Sequence, residues 1–134
     1  MITKLSQDDK DWVVKLFSLN AKVLGNMSGG TWFWRIMQST AKNEFLIGVK
    51  PYCFAHYRTR LKDGVNVLYE IAVHPEYQRK GLAELLINSI GKPMELKTDA
   101  EHIPSNRLYI KLGFELTNVG EAKSGKVINS YEWK

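Results

Sequence analysis

The chain is 134 residues long and carries 19 Lys+Arg against 14 Asp+Glu, a net charge of +5 that favours an anionic partner. That length suits one domain, residues 1–134, and the lone Cys53 with three scattered histidines excludes an internal disulfide and argues against structural zinc. No stretch has signal-peptide order or bilayer-spanning length, so a cytoplasmic chain with no membrane partner is expected.

Met1 to Leu5 is short and partly apolar and reads as an edge strand. Ser6, Asp8 and Asp9 then supply a cap and early acidic residues for a helix. Trp12, Val13, Leu16, Phe17 and Leu19 continue it at helical spacing. The stretch from Asn20 to Gly30 is looser, with breaks expected at Gly25, Gly29 and Gly30. A second helix is predicted from about Thr31 to Thr40. It contains Trp32, Phe33 and Trp34, and three consecutive aromatics cannot all face one core.

Glu44 to Val49, Tyr52 to Arg60 and Val65 to Val73 read as three antiparallel strands, with Lys62-Asp63-Gly64 as a hairpin turn. Gly81 to Ile90 follows as an amphipathic helix with Leu82, Leu85, Leu86 and Ile90 on one face, closed by Gly91. Met94 to Thr98 is a short strand. Pro104 opens a helix running to about Leu112, and Gly113 ends it. Phe114 to Val119 and Val127 to Trp133 form a terminal strand pair around Lys123-Ser124-Gly125. Strand, helix and strand from Val65 to Thr98 imply one parallel pair with a right-handed crossover. The fold class is therefore α+β: a mixed, mostly antiparallel sheet with helices on both faces.

The stretch from Val73 to Ala83 joins a strand to a helix and carries Arg79, Lys80 and Gly81. The first N–H groups of a helix have no intrahelical partners, and the helix dipole adds positive charge there. A phosphate or pyrophosphate is the direct physical reading. Gly81 permits close approach and unusual dihedrals.

The spacing Gln78-x-x-Gly81-x-Ala83, between that strand and that helix, resembles the acetyl-CoA-binding motif of the GNAT superfamily of N-acetyltransferases. Asn106-Arg107-Leu108-Tyr109, followed by Gly113-Phe114-Glu115, resembles the family's C-terminal motif. The two motifs cover about residues 65–116, and the strand order fits the family along the whole chain.

The resemblance implies that Gln78, Arg79, Lys80, Gly81, Leu82 and Ala83 wrap the CoA pyrophosphate. It implies a strand, Leu68 to Val73, that splays from Met94 to Thr98 and leaves backbone groups of Ile71, Ala72 and Val73 for the pantetheine arm and the acetyl carbonyl. Tyr109 matches a tyrosine that protonates the departing thiolate; a core tyrosine is the alternative. His102 stands where many members carry a pantetheine-contacting Asn, and Asn106 is a further candidate for that contact.

Acyl transfer needs a neutral amine, and an alkylammonium with a pKa near ~10 must first lose a proton. Glu70, a carboxylate in an apolar strand, is the expected base. The alternatives are that it pairs outward with Arg58 or Arg60, or that His56 is the base. Cys53 has no histidine partner at an interpretable spacing, so direct transfer is expected in place of an acetyl-enzyme. One of the three aromatics is expected to line the acceptor pocket.

The expected activity is thus transfer of acetyl from acetyl-CoA, without metal, to a primary amine, with a small molecule favoured as acceptor. The alternative is a non-catalytic module that binds acyl-CoA, or binds nucleic acid through Arg58, Arg60, Lys62, Arg79 and Lys80. No aromatic-plus-basic sheet motif supports nucleic acid. A monomer or a homodimer through the terminal strand pair fits equally.

Overall fold

In the computed structural model, which describes residues 1–24 and 27–134 but not the side chains of Lys22 and Val23, strand β1 (Thr3–Lys4) leads into a short 3-10 segment (Gln7–Asp9). Ser6 caps that segment reciprocally with Asp9, and helix α1 (Lys10–Leu19) follows. The expected cap and helix are both present. A further turn of helix, α2 (Ala21–Leu24), lies where the sequence suggested looser chain. The break expected at Gly25 falls outside the described residues.

Helix α3 (Gly29–Gln38) begins two residues earlier than expected, because Ser28 caps it through the Thr31 N–H at 3.1 Å. Gly29 and Gly30 open the helix instead of breaking the chain. At Gly29 a Cβ would stand 3.1 Å from Val14 Cγ1, so glycine there lets α3 close on α1.

Strands β2 (Glu44–Val49), β3 (Cys53–Thr59) and β4 (Asn66–Val73) form the expected antiparallel meander. Helix α4 (Leu82–Ile90), strand β5 (Met94–Asp99), helix α5 (Ile103–Lys111) and the hairpin β6 (Glu115–Glu121) and β7 (Val127–Trp133) complete the chain. The sheet order is β1-β2-β3-β4-β5-β7-β6, and β4 with β5 is the one parallel pair among the described residues.

Helices cover both faces. Val13, Leu16 and Phe17 of α1 and Trp32 and Phe33 of α3 pack on Leu46, Phe54 and Ala72 of the sheet. Leu86 and Ile87 of α4 and Tyr109 of α5 pack on the other face, against Cys53, Ala55, Leu68, Leu96, Tyr131 and Trp133. Strand β3 is buried on both sides from Cys53 to His56, so it reads as a continuous apolar run broken by one histidine. No helix among the described residues is long and apolar enough to cross a membrane.

Two irregularities position the site. The β3–β4 ladder pairs His56 with Glu70 and Tyr57 with Leu68, so Tyr69 is an extra residue, a bulge. Simple alternation would put Leu68 and Glu70 on one face. The bulge lets Leu68 enter the α4/α5 layer while Glu70 turns toward His56 on the other. Second, β4 and β5 pair only from Asn66 to Leu68 and from Met94 to Leu96. Beyond Leu68 the two strands separate, as the family resemblance implied.

Candidate active site

The turn after β4 begins with a 3-10 segment, Pro75–Tyr77, capped by His74. Arg79 has φ 65° and Gly81 has φ 80°, both left-handed. Left-handed backbone is costly for a non-glycine residue, and Arg79 holds it at an exposed position. A Cβ on Gly81 would meet nothing within 4 Å, so the demand for glycine there is conformational, not steric. The first helical bond of α4 runs from the Leu85 N–H to the Gly81 carbonyl at 2.9 Å. Among the described residues, no N–H from Arg79 to Glu84 donates to a backbone carbonyl. Those groups, with the helix dipole, are free to hold an anion. Lys80 Nζ lies 5.5 Å from the Tyr77 ring centre, and the Gln78 amide reaches back 3.4 Å to the Val73 carbonyl.

The divergence of β4 from β5 leaves Tyr69 to Val73 without a partner strand on the β5 side. A cavity of about 250 Å³ fills this gap. Glu70 and Ile71 of β4, Lys97 and Asp99 of β5, and Tyr109 of α5 line it, together with Lys126 just before β7. Ala72 and Val73 do not. A second cavity of about 340 Å³ adjoins it, sharing Tyr69 and Lys97 and reaching Glu95, Thr117 and Ser130.

Glu70 does not pair with Arg58 or Arg60. Arg58 bonds Glu44 at 3.3 Å, and Arg60 bonds Asp63 at 2.8 Å and Glu95 at 2.5 Å. Glu70 Oε2 instead lies 2.5 Å from His56 Nδ1, and His56 Nε2 lies 2.7 Å from Glu44 Oε2. The two residues weighed as alternative bases are therefore one unit, joined by Glu44, which the sequence did not single out. Glu44 stands two positions from Leu46, the partner of His56 in the β2–β3 register, so only strand pairing reveals it.

His56 is 7% exposed. Burial pushes its pKa down, but hydrogen bonds and charge from Glu70 and Glu44 outweigh that and hold it above the ordinary value. Burial likewise works to raise Glu44, yet the Ser39 hydroxyl, His56 and Arg58 hold it below the usual carboxylate value. Trp32 presents its edge to His56 at 6.2 Å, and its buried indole N–H has no hydrogen-bond partner among the described residues. Trp32 and Phe33 are core residues, whereas Trp34 is 60% exposed and lines neither cavity. The aromatic expected in the acceptor pocket is not found there.

Tyr109 is buried, and its hydroxyl makes no hydrogen bond among the described residues. Burial, and then the neighbouring Tyr131, drive its pKa far above that of a free phenol. It is protonated at any ordinary pH. Asn106 donates to the carbonyls of Asp99 (3.0 Å) and His102 (2.8 Å) and accepts from Asn129 (2.9 Å) and the Tyr131 hydroxyl (2.6 Å). These four bonds saturate the amide. His102 precedes α5, half-buried, with its Nδ1 bonded to the Ser105 hydroxyl. Cys53 is fully buried in the α4/α5 layer, and burial raises its thiol pKa. Among the described residues no three His, Cys, Asp or Glu side chains converge on a metal position. Glu44 and Glu70 meet opposite edges of the His56 ring and cannot close on one ion.

A helix N-terminus rich in free N–H groups, beside a gap between parallel strands that holds a carboxylate and a buried phenol, is the layout of a group-transfer enzyme with an anionic donor. The chain belongs to the GNAT acetyltransferase family: the family model for the acetyltransferase (GNAT) domain matches residues 41–116, more than half of the sequence. It is an N-acetyltransferase by class. Solved structures share its fold. The ribosomal-protein-S18-alanine N-acetyltransferase of Escherichia coli is 21% identical, with a TM-score of 0.72 over 98% of this chain and 91% of that one. A GNAT-family acetyltransferase from Bacillus cereus is 20% identical, with a TM-score of 0.76 over 100% and 96%. An aminoglycoside 6'-N-acetyltransferase complexed with coenzyme A is 14% identical, with a TM-score of 0.79 over 99% and 96%. No curated protein matches the sequence.

Proposed function

We propose that this chain, acting as a single domain over residues 1–134, transfers the acetyl group of acetyl-CoA directly to a primary amine. The observation that carries the reading is one cavity, at the parting of β4 and β5, lined by both Glu70 and Tyr109. Acetyl-CoA supplies the acetyl group as an activated thioester.

The free N–H groups from Arg79 to Ala83 fit a pyrophosphate, with Gln78, Arg79 and Lys80 around it. The unpartnered edge of β4 at Ile71, Ala72 and Val73 offers backbone donors and acceptors to the pantetheine amides and the acetyl carbonyl. Asn106 acts by tying α5 to β5 and β7, and His102 stands at the near end of α5.

Glu70 takes a proton from the substrate ammonium, because its second oxygen is not committed to His56. Tyr109 donates a proton or a hydrogen bond to the departing sulfur. Burial makes the phenol a weaker acid, but a thiolate at the same place meets the same desolvation. Cys53, fully buried in the core and lining neither cavity, takes no part, which leaves direct transfer.

The adjoining cavity of about 340 Å³ falls within the range of small-ligand sites, which favours a small amine. The fold itself does not choose: the Escherichia coli relative acts on a protein alanine and another on an aminoglycoside. The test is calorimetry with acetyl-CoA, then thiol release across a panel of small amines, amino acids and peptides. Binding of acetyl-CoA with acceptor-dependent thiol release is expected. Failure to bind acetyl-CoA or CoA overturns the reading.

A further inference from the structure

We propose that Glu44 and His56 form a charged clamp on Glu70: His56 stands as an imidazolium between two carboxylates and fixes which Glu70 oxygen faces the cavity. His56 is here a positioning residue, acting through Glu70, and the proposal rests on the reading of Glu70 as the base.

The geometry carries it. Both ring nitrogens meet carboxylate oxygens, at 2.5 Å and 2.7 Å. A neutral imidazole has a single N–H, so one nitrogen would turn its lone pair toward an oxygen anion. With both nitrogens protonated each contact is a charge-assisted hydrogen bond. The unit then carries two negative charges and one positive. It is buried: the side chains of His56, Glu44 and Glu70 are 9%, 11% and 20% exposed.

The surroundings favour the same state. Glu44 faces His56 from β2, and Glu70 from β4. Tyr69, also on β4, lies 5.4 Å from the ring and Trp32 of α3 lies 6.2 Å away, and neither brings charge at neutral pH. On the histidine's own strand, Arg58 bonds the far oxygen of Glu44. On the cavity side of Glu70 stand Lys97, Asp99, Lys126 and Tyr109. The opposing carboxylates shift the histidine upward despite its burial.

The consequence falls on Glu70. An imidazolium hydrogen-bonded to one carboxylate oxygen fixes the orientation of the group through a charge-assisted contact. One oxygen is held by the ring, and the other is left for the amine. On proton transfer the amine N–H bond breaks, an O–H bond forms on that free oxygen, and the unit goes from net −1 to neutral.

The test is NMR on the full chain, needing no acceptor. Imidazole ¹⁵N shifts report the protonation of His56, assigned with His56→Gln. Expected at about pH 7.5, above the ordinary histidine pKa, are two protonated nitrogens on His56 in the wild type. In Glu70→Gln, which keeps a hydrogen bond and removes the charge, the His56 pattern at that pH should move toward the neutral imidazole. Glu44→Gln should move it the same way by less. A neutral imidazole pattern at that pH in the wild type, or an unmoved His56 pattern in a folded Glu70→Gln, overturns the clamp. The wild-type ¹⁵N result decides even if that variant fails to fold. If Glu70→Gln leaves thiol release unchanged, the base assignment fails while the NMR result still stands.

Discussion

His56 Nδ1 lies 2.5 Å from Glu70 Oε2, across adjacent strands whose register sets the two residues directly opposite each other. One residue further along, the ladder slips at Tyr69, and the alternation changes face. The proposed base, its partner and a bulge thus come from one local feature of the β3–β4 hairpin.

Glu70→Gln keeps the shape and removes the proposed proton acceptor. Turnover at neutral pH should fall by about 10²–10⁴-fold, the usual span for a general base. The Kd for acetyl-CoA should hold, because Glu70 is on the strand and not in the turn. Thiol release and calorimetry on the same preparation separate the two effects.

Tyr109→Phe removes a hydroxyl that has no hydrogen-bond partner among the described residues. The ring packs on Phe114 and Tyr131 at 5.4 Å and 5.8 Å, and those contacts remain. The melting temperature should therefore stay the same or rise slightly, while kcat falls. A kcat equal to wild type would remove Tyr109 from the proton path.

Gly81→Ala adds a methyl group to open space but holds φ at 80°. Left-handed backbone costs a non-glycine residue about 1–2 kcal/mol. Relaxation of the turn would swing the N–H groups away from one another. A several-fold weaker Kd for CoA is expected by calorimetry, with turnover at saturating acetyl-CoA nearly unchanged.

The buried trio also sets a stability profile. The folded pKa of His56 is raised, so its contribution is complete below the ordinary value of 6.5 and is lost as pH climbs through the folded value. The folded pKa of Glu44 is lowered, so its contribution is present above the ordinary 4.5 and is lost as pH falls through the folded value. The unfolding free-energy difference between wild type and His56→Gln should therefore shrink as pH rises above neutrality. Urea melts at several pH values measure it, and a difference that grew with pH would contradict the assigned shift.

Asn106→Ala strands two carbonyls and two donors inside the protein. A single buried unsatisfied partner costs about 1–3 kcal/mol, so a loss of at least ~2 kcal/mol is expected in chemical denaturation. Weaker cofactor binding should accompany disorder at α5 and be relieved at lower temperature.

Some of this was legible because it is written in consecutive residues. The turn from Gln78 to Ala83 and the run from Asn106 to Phe114 are local patterns, and strands β2 and β7 fall on the expected residues. Helix α3 began early because Ser28 outweighed the two glycines after it. Which of Trp32, Phe33 and Trp34 turns outward was not legible, because three adjacent aromatics give no phase; the helix buries the first two and exposes Trp34.

The trio was out of reach for a different reason. Glu44, His56 and Glu70 come from three strands, and their meeting depends on a register and on a bulge at Tyr69 that no spacing announces. Lys97 and Lys126 reach the cavity from β5 and from beside β7 by the same long-range pairing. Proximity between strands distant in sequence is settled by the sheet as a whole.

The short parallel pairing of β4 with β5 has a mechanical side. Three residues on each strand, Asn66–Leu68 and Met94–Leu96, join the half-sheet β1 to β4 to the half-sheet β5, β7 and β6. Such a seam is the weakest line in the ladder, and a donor lying in the gap would bridge it as a substitute for the missing strand contacts. Binding and cohesion would then be one property. Hydrogen exchange along Ile71, Val73, Thr98 and Asp99 should slow together when CoA is added, and the seam should open first on heating without it.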